Sequence, residues 1–145
     1  MKPINEMKLA FESRSSNESF ARSAVAAFVA VLDPNVEELS DIKTAVSEAV
    51  TNCIVHGYKN EIGKVYIHVK IFDGARISIC IKDKGCGIPD IKKAMEPLYT
   101  TCETGERAGL GFSIMESFMD KLKVRSVPGK GTSVTLEKSI VSKGK

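Results

Sequence analysis

The two apolar alternations on either side of Asp73-Gly74 constrain this chain more than any other feature. Val65, Ile67, Val69 and Ile71 alternate with Tyr66, His68 and Lys70, and Ile77, Ile79 and Ile81 alternate with Arg76, Ser78 and Cys80. A period of two sends every second side chain to the same face, so each run predicts a strand with one buried face. Asp-Gly between two such runs predicts a tight hairpin, because a type I′ turn needs positive φ at both central positions. Strands joined this way are antiparallel, and clean alternation means that only one sheet face is covered. A second layer must cover it.

The rest of the chain supplies that layer. Ser15-Ser16-Asn17-Glu18 has the S-x-x-E form of a capping box, and Phe20, Ala24, Ala27, Phe28, Val31 and Leu32 follow at helical spacing. Asp33-Pro34 ends that helix, since proline disfavours a helical residue before it. A longer helix starts at Asn35 or Val36, carries Leu39, Ile42, Val46, Ala49, Val50 and Cys53 on one side, and ends around Gly57, Asn60 and Gly63. Phe112, Met115, Phe118, Met119 and Leu122 mark a third helix. Further strands are expected around Met7, Leu9 and Phe11, over 124–127 and over 132–138, the last two joined through Pro128-Gly129-Lys130-Gly131. The fold class is α+β: a two-layer sandwich of a mixed, mostly antiparallel sheet with helices packed on one face. At 145 residues the chain is one domain, 1–145, with about 139–145 expected to fray. Between Gly85 and Gly111 the pattern is irregular apart from a short helix expected over 90–95. A connection of that length in a small domain is usually functional or mobile.

Composition narrows the function. A net charge of +3 with lysines scattered along the chain argues against a nucleic-acid groove. Four cysteines form no C-x-x-C pair and have no histidine at zinc spacing; Cys53 and Cys80 lie in apolar runs and read as small core residues. No apolar run approaches the ~18 residues of a membrane span, and residues 1–12 lack the apolar stretch of a signal peptide, so a reducing cytoplasm is expected.

Three stretches carry chemistry. Glu48 and Asn52 stand four apart and share a helix face. A carboxamide oxygen there suits Mg2+ beside phosphate oxygens, and a carboxylate one turn away suits a general base. Asp83-x-Gly85-x-Gly87 leaves a strand; its carboxylate can accept a hydrogen bond from an adenine N6 amine, and its glycines permit close approach of a ligand. Gly105 and Gly109-Leu110-Gly111 precede a helix whose amides attract phosphate, with Arg107 in reach of a terminal phosphate and Thr100 and Thr101 as hydroxyl donors. Taken singly, each is equally a solvated helix face, a plain turn or a flexible loop. There is no G-x-x-x-x-G-K-[ST] and no G-x-G-x-x-G after the first strand, so P-loop and Rossmann sites are excluded.

Taken in order, Glu48-x-x-x-Asn52, Asp83-x-Gly85-x-Gly87, Gly109-x-Gly111 and Gly131-Thr132 resemble the Bergerat-type ATP-binding fold shared by gyrase, Hsp90, histidine kinases and MutL. A narrower resemblance rests on Ser19-Phe20-Ala21-Arg22, on residues 26–30, and on residues 46–52 with His56-Gly57-Tyr58. These are similar to the anti-sigma F factors of spore-forming bacteria, a family of small serine kinases. The resemblance implies roles for this chain. Asn52 would hold Mg2+ and Glu48 would be the base. Asp83 would read adenine, with Gly85 and Gly87 lining the pocket and Thr132 supporting it. Gly109 and Gly111 would close a lid, with Gly105 among the nucleotide contacts and Arg107 on the γ-phosphate. It also implies ATP and ADP as ligands, a homodimer, capture of sigma F, and phosphorylation of an anti-anti-sigma protein on serine, with no membrane and no direct nucleic acid. Cys53 and Cys86 stand where that family usually has an apolar residue. Other readings are a general-stress anti-sigma kinase of the same kind, a nucleotide-gated binding module without transferase activity, and a detached histidine-kinase ATPase domain. The last is disfavoured because neither His56 nor His68 lies on an added helix.

Overall fold

The computed structural model describes residues 2–59, 61–88 and 108–141. Five strands, β1 (Asn5–Glu12), β2 (Lys64–Phe72), β3 (Arg76–Asp83), β4 (Lys121–Val127) and β5 (Gly131–Ser139), form one sheet in the order β1-β2-β3-β5-β4. Every pairing is antiparallel, so the parallel component allowed by a mixed sheet is absent among the described strands. Three helices, α1 (Asn17–Val29), α2 (Val36–Asn52) and α3 (Ala108–Phe118), lie on one face. This is the two-layer α+β sandwich that the alternation predicts.

The core lies between the layers. Val65, Ile67, Val69 and Ile71 of β2 and Ile77, Ile79 and Ile81 of β3 are all buried, and they meet Val25 and Val29 of α1, Ile42, Val46 and Val50 of α2, and Met115 of α3. Strand register fixes this. Ile67 pairs with Leu9 and Ile81, so a slip of one residue would turn the slipped strand's apolar side chains to the outer face and bring its outer-face side chains into the core.

Local chemistry departs from the sequence expectation in several places. The hairpin loop spans three residues, because Phe72 pairs with Arg76, and positive φ falls on Gly74 and Ala75 rather than on Asp73 and Gly74. Ser15-Ser16-Asn17-Glu18 forms no capping box: Ser16 makes no side-chain cap bond, and the Ser15 carbonyl accepts from the Glu18 amide. The capping box occurs instead at α2, where Asn35 accepts from the Glu38 amide at 2.7 Å and Glu38 Oε1 accepts from the Asn35 amide at 3.0 Å. Glu38 Oε2 also accepts from the Val141 amide at 2.9 Å, and Ile140 is buried. Residues 139–141 are therefore tied in, and the fray expected from 139 does not begin there. Leu122 belongs to β4 rather than to the third helix, which ends at Phe118. The helix expected over 90–95 falls outside the described residues.

The outer sheet face also differs from expectation. Cys80 is half-exposed there, with its thiol 3.3 Å from Ser133 Oγ, so it is not a core residue. Lysines that are scattered in sequence are gathered by the period of two. β2 turns Lys64 and Lys70 outward, β3 Arg76 and Lys82, β4 Lys121, Lys123 and Arg125, and β1 Lys8.

Candidate functional site

The site is built around the C-terminal end of α2. Glu48 and Asn52 share a face one turn apart, as their spacing requires. After Asn52 the helix widens into a π-helical turn, Cys53–Gly57, closed by the Tyr58 amide donating to the Cys53 carbonyl at 2.9 Å. Such wide turns inside helices recur at functional sites. Here the wide turn carries Gly57 onto the end of β3. A Cβ on Gly57 would lie 2.8 Å from the Asp83 carboxyl carbon, so only glycine fits.

Asp83 is 3% exposed at the end of β3. Burial pushes its carboxyl pKa up, while the Gly85 amide at 2.9 Å, the Cys53 thiol and the Thr132 amide donate to it and pull the other way. Burial, reinforced by the negative Asp83, pushes the Cys53 thiol well up, so it is a neutral donor to the carboxylate. Tyr58 fixes the next residue: its hydroxyl accepts from the Lys84 amide at 2.7 Å and donates to the Lys64 carbonyl. The loop after β3 is drawn tight against the helix end. The Cys86 amide donates to the Gly57 carbonyl at 2.9 Å, and a Cβ on Gly85 would stand 2.1 Å from that carbonyl oxygen. Gly87 adopts φ +78, and the Gly129 amide donates to the Cys86 carbonyl at 2.7 Å. Thr132 Oγ1 lies 2.8 Å from Ser126 Oγ, which accepts from the Ile88 amide. The helix end, the loop 84–88 and the β4–β5 turn are thus one hydrogen-bonded unit around Asp83.

At the other end, α3 packs on α2. Gly109 and Gly111 lie in the first turn of α3 rather than in a loop before it. A Cβ on Gly111 would fall 3.2 Å from Glu48 Oε1 and 3.5 Å from both polar atoms of the Asn52 carboxamide. Asn52 Nδ2 is buried and has no hydrogen-bond partner among the described residues. A buried amide donor left open is free to take its acceptor from a ligand. A groove of about 390 Å³, lined in part by Arg22, Lys43, Ser47 and Glu48, opens beside the same carboxylate.

The structure therefore brings Glu48, Asn52 and Gly111 together, and Asp83, Gly85, Gly87 and Thr132 together, with the turn Cys53–Gly57 joining the two groups. Thr100, Thr101, Gly105 and Arg107 lie outside the described residues. Sequence reasoning missed Cys53 and Tyr58 as supports of Asp83. Cys53 looks like one more apolar residue of a helix stripe, and no local pattern marks Tyr58. No group of three His, Cys, Asp or Glu side chains able to hold a metal occurs among the described residues. A cation at Asn52 would thus take most of its ligands from phosphate and water, which is the habit of Mg2+.

Comparison with known proteins fits this arrangement. Residues 11–138 match the histidine kinase-like ATPase domain family. The chain belongs to that family. Among curated proteins, it is 58% identical over 142 residues to the anti-sigma F factor of Thermoanaerobacter sp., covering 98% of this chain and 99% of that one. It is 57% identical over 137 residues to the anti-sigma F factor of Geobacillus kaustophilus, covering 94% and 93%. Within the ATPase family it therefore falls among the anti-sigma F factors. Among solved structures, the RsbU and RsbW domains of Rv1364c from Mycobacterium tuberculosis align with TM-score 0.69 at 16% identity, over 95% of this chain and 33% of that one. The histidine kinase domain of the blue-light activated histidine kinase of Erythrobacter litoralis aligns with TM-score 0.56 at 20% identity, over 85% and 60%. This chain spans only a third of the first and less than two thirds of the second, and at such identities the likeness is one of fold. No helix among the described residues is long and apolar enough to cross a membrane.

Proposed function

We propose that this protein is an ATP-dependent protein-serine kinase that doubles as an anti-sigma factor. It binds and silences sigma F and phosphorylates the anti-anti-sigma antagonist on serine, acting as a cytoplasmic homodimer. The observation that supports this most is the buried Asn52 amide, without a hydrogen-bond partner among the described residues, near Glu48 on the same helix end that abuts the buried Asp83.

In this reading Asp83 accepts a hydrogen bond from the adenine N6 amine. Gly85 and Gly87 line the base pocket, and Thr132 holds the carboxylate from behind. The Asn52 carboxamide holds Mg2+, which when bound neutralises phosphate charge. Glu48 takes the proton of the substrate serine as its hydroxyl oxygen bonds to the γ-phosphorus and ADP departs. Gly109 and Gly111 let α3 close against Glu48 and Asn52. Arg107 meets the γ-phosphate, and Thr100, Thr101 and Gly105 are further nucleotide contacts, the threonines as hydroxyl donors. The groove beside Glu48 gives a peptide hydroxyl access.

Incubation with labelled ATP, Mg2+, sigma F and the anti-anti-sigma protein tests the whole reading. Phosphoserine should appear on the antagonist, and sigma F should be captured only with nucleotide. Glu48→Gln should keep ATP binding and lose transfer by about 10²–10⁴-fold. Transfer at the normal rate by that variant would remove the base from Glu48.

A further inference from the structure

The outer face of the sheet is covered by no described element, and its charge is lopsided. Eight cations point outward from β1, β2, β3 and β4, against the three carboxylates Glu6, Glu12 and Glu137, a surplus of five. The whole chain has 21 cations and 18 carboxylates, so the residues other than these outward strand positions carry a deficit of two. The three acids are already engaged: Glu6 with His68 at 2.6 Å, Glu12 with Arg14 at 3.0 Å, and Glu137 with Lys123 at 3.9 Å. In the middle of the face Cys80 of β3 lies opposite Thr135 of β5, with Ser78 opposite Glu137 at one end and Lys82 opposite Ser133 at the other, and Lys121, Lys123 and Arg125 of β4 stand beside Glu137, Thr135 and Ser133.

We propose that this face is a docking surface for an extended acidic segment of a partner protein. Same-face residues on a strand are about 6.8 Å apart, and Lys121, Lys123 and Arg125 occupy three consecutive such positions on β4. An extended peptide with a carboxylate at every second residue has the same spacing, and the short side chains of Cys80, Thr135 and Ser133 beside Lys123 and Arg125 leave room for its backbone. Two other occupants fit less well. A second copy would set two basic faces against each other. Single-stranded nucleic acid gains much of its affinity by stacking on aromatic rings, and both rings on this face are already covered by cations, Tyr66 by Lys84 at 5.2 Å and Phe72 by Arg76 at 5.5 Å. This inference does not depend on the kinase reading.

The test uses the full chain and a fluorescent peptide of about a dozen residues alternating Glu and Thr. The wild type should bind it, with affinity falling steeply between about 0.05 and 0.3 M salt. The triple variant Lys8→Glu, Lys82→Glu, Lys123→Glu should lose about tenfold or more in affinity while its melting temperature and ATP binding stay unchanged. Equal binding by wild type and variant overturns the proposal, as does tighter binding of oligo-dT or duplex DNA than of the peptide. A variant that changes oligomeric state while binding the peptide normally would assign the face to a second copy and likewise overturn it. If the triple variant fails to fold, Lys123→Glu alone, on an edge strand, must still weaken the peptide.

Discussion

Asp83 is a carboxylate held by three donors in a place that water barely reaches. Burial outweighs the donors, so its folded pKa stands above the ordinary 3.8. For an acid raised on folding, the favourable contribution is complete below the unfolded pKa and is lost as pH rises through the folded one. The ligand-free wild type should therefore gain stability relative to Asp83→Asn as pH falls from about 7.5 to about 4.5, read by urea unfolding. A constant difference would mean that Asp83 titrates normally. ATP affinity should move the other way, weakening as acid protonates the group that accepts from adenine. Asp83 and Glu48 are legible in the sequence because their spacing to glycine or to asparagine carries meaning. Cys53 and Tyr58 are not, since each acts on Asp83 across the fold and looks locally like core.

At the scale of elements, glycines set how closely the pieces approach. Gly85→Ala would drive a Cβ into the Gly57 carbonyl, where neither backbone can yield, and should cost about 1–3 kcal/mol in urea unfolding. Gly111→Ala meets only the Glu48 and Asn52 side chains at 3.2–3.5 Å, so it should fold nearly normally yet weaken nucleotide binding by crowding those two groups. If it bound ATP as the wild type does, the close packing of α3 on α2 would have no bearing on the site. Asn35→Ala should cost about 1 kcal/mol, because it removes the cap of the helix that carries Glu48 and Asn52. Strand existence and the pairings across the two turns were plain from the period of two and the turn residues, whereas the pairings β1–β2 and β3–β5 join strands distant in sequence. The start of α2 at Val36 was legible too, but the capping chemistry was not. S-x-x-E signalled a box at Ser15 that the backbone filled instead, while Asn35-x-x-Glu38, with a different cap residue, formed it. Gly109 and Gly111 looked like loop and proved helical, because packing on α2 outweighs the weak helix propensity of glycine.

For the molecule as a whole, the sequence conveyed the two layers but hid the polarity of the outer face. Lysines spaced far apart in the chain look scattered, and only strand register shows that they share a surface. The proposed function rests on the inner layer, where one helix end joins the buried Asp83, proposed to read the base, to Glu48 and Asn52, proposed to face the phosphates. Nucleotide bound there as proposed would bind only the folded chain, so ATP with Mg2+ at about a hundred times its dissociation constant should stabilise the fold by about 2.7 kcal/mol. The most direct measurement is isothermal titration of the purified chain with ATP in the presence of Mg2+, repeated on Asp83→Asn. One saturable site per chain in the wild type, with clearly weaker binding in the variant, is the predicted result. No uptake of ATP by the wild type, or equal affinity in both proteins, would contradict the account.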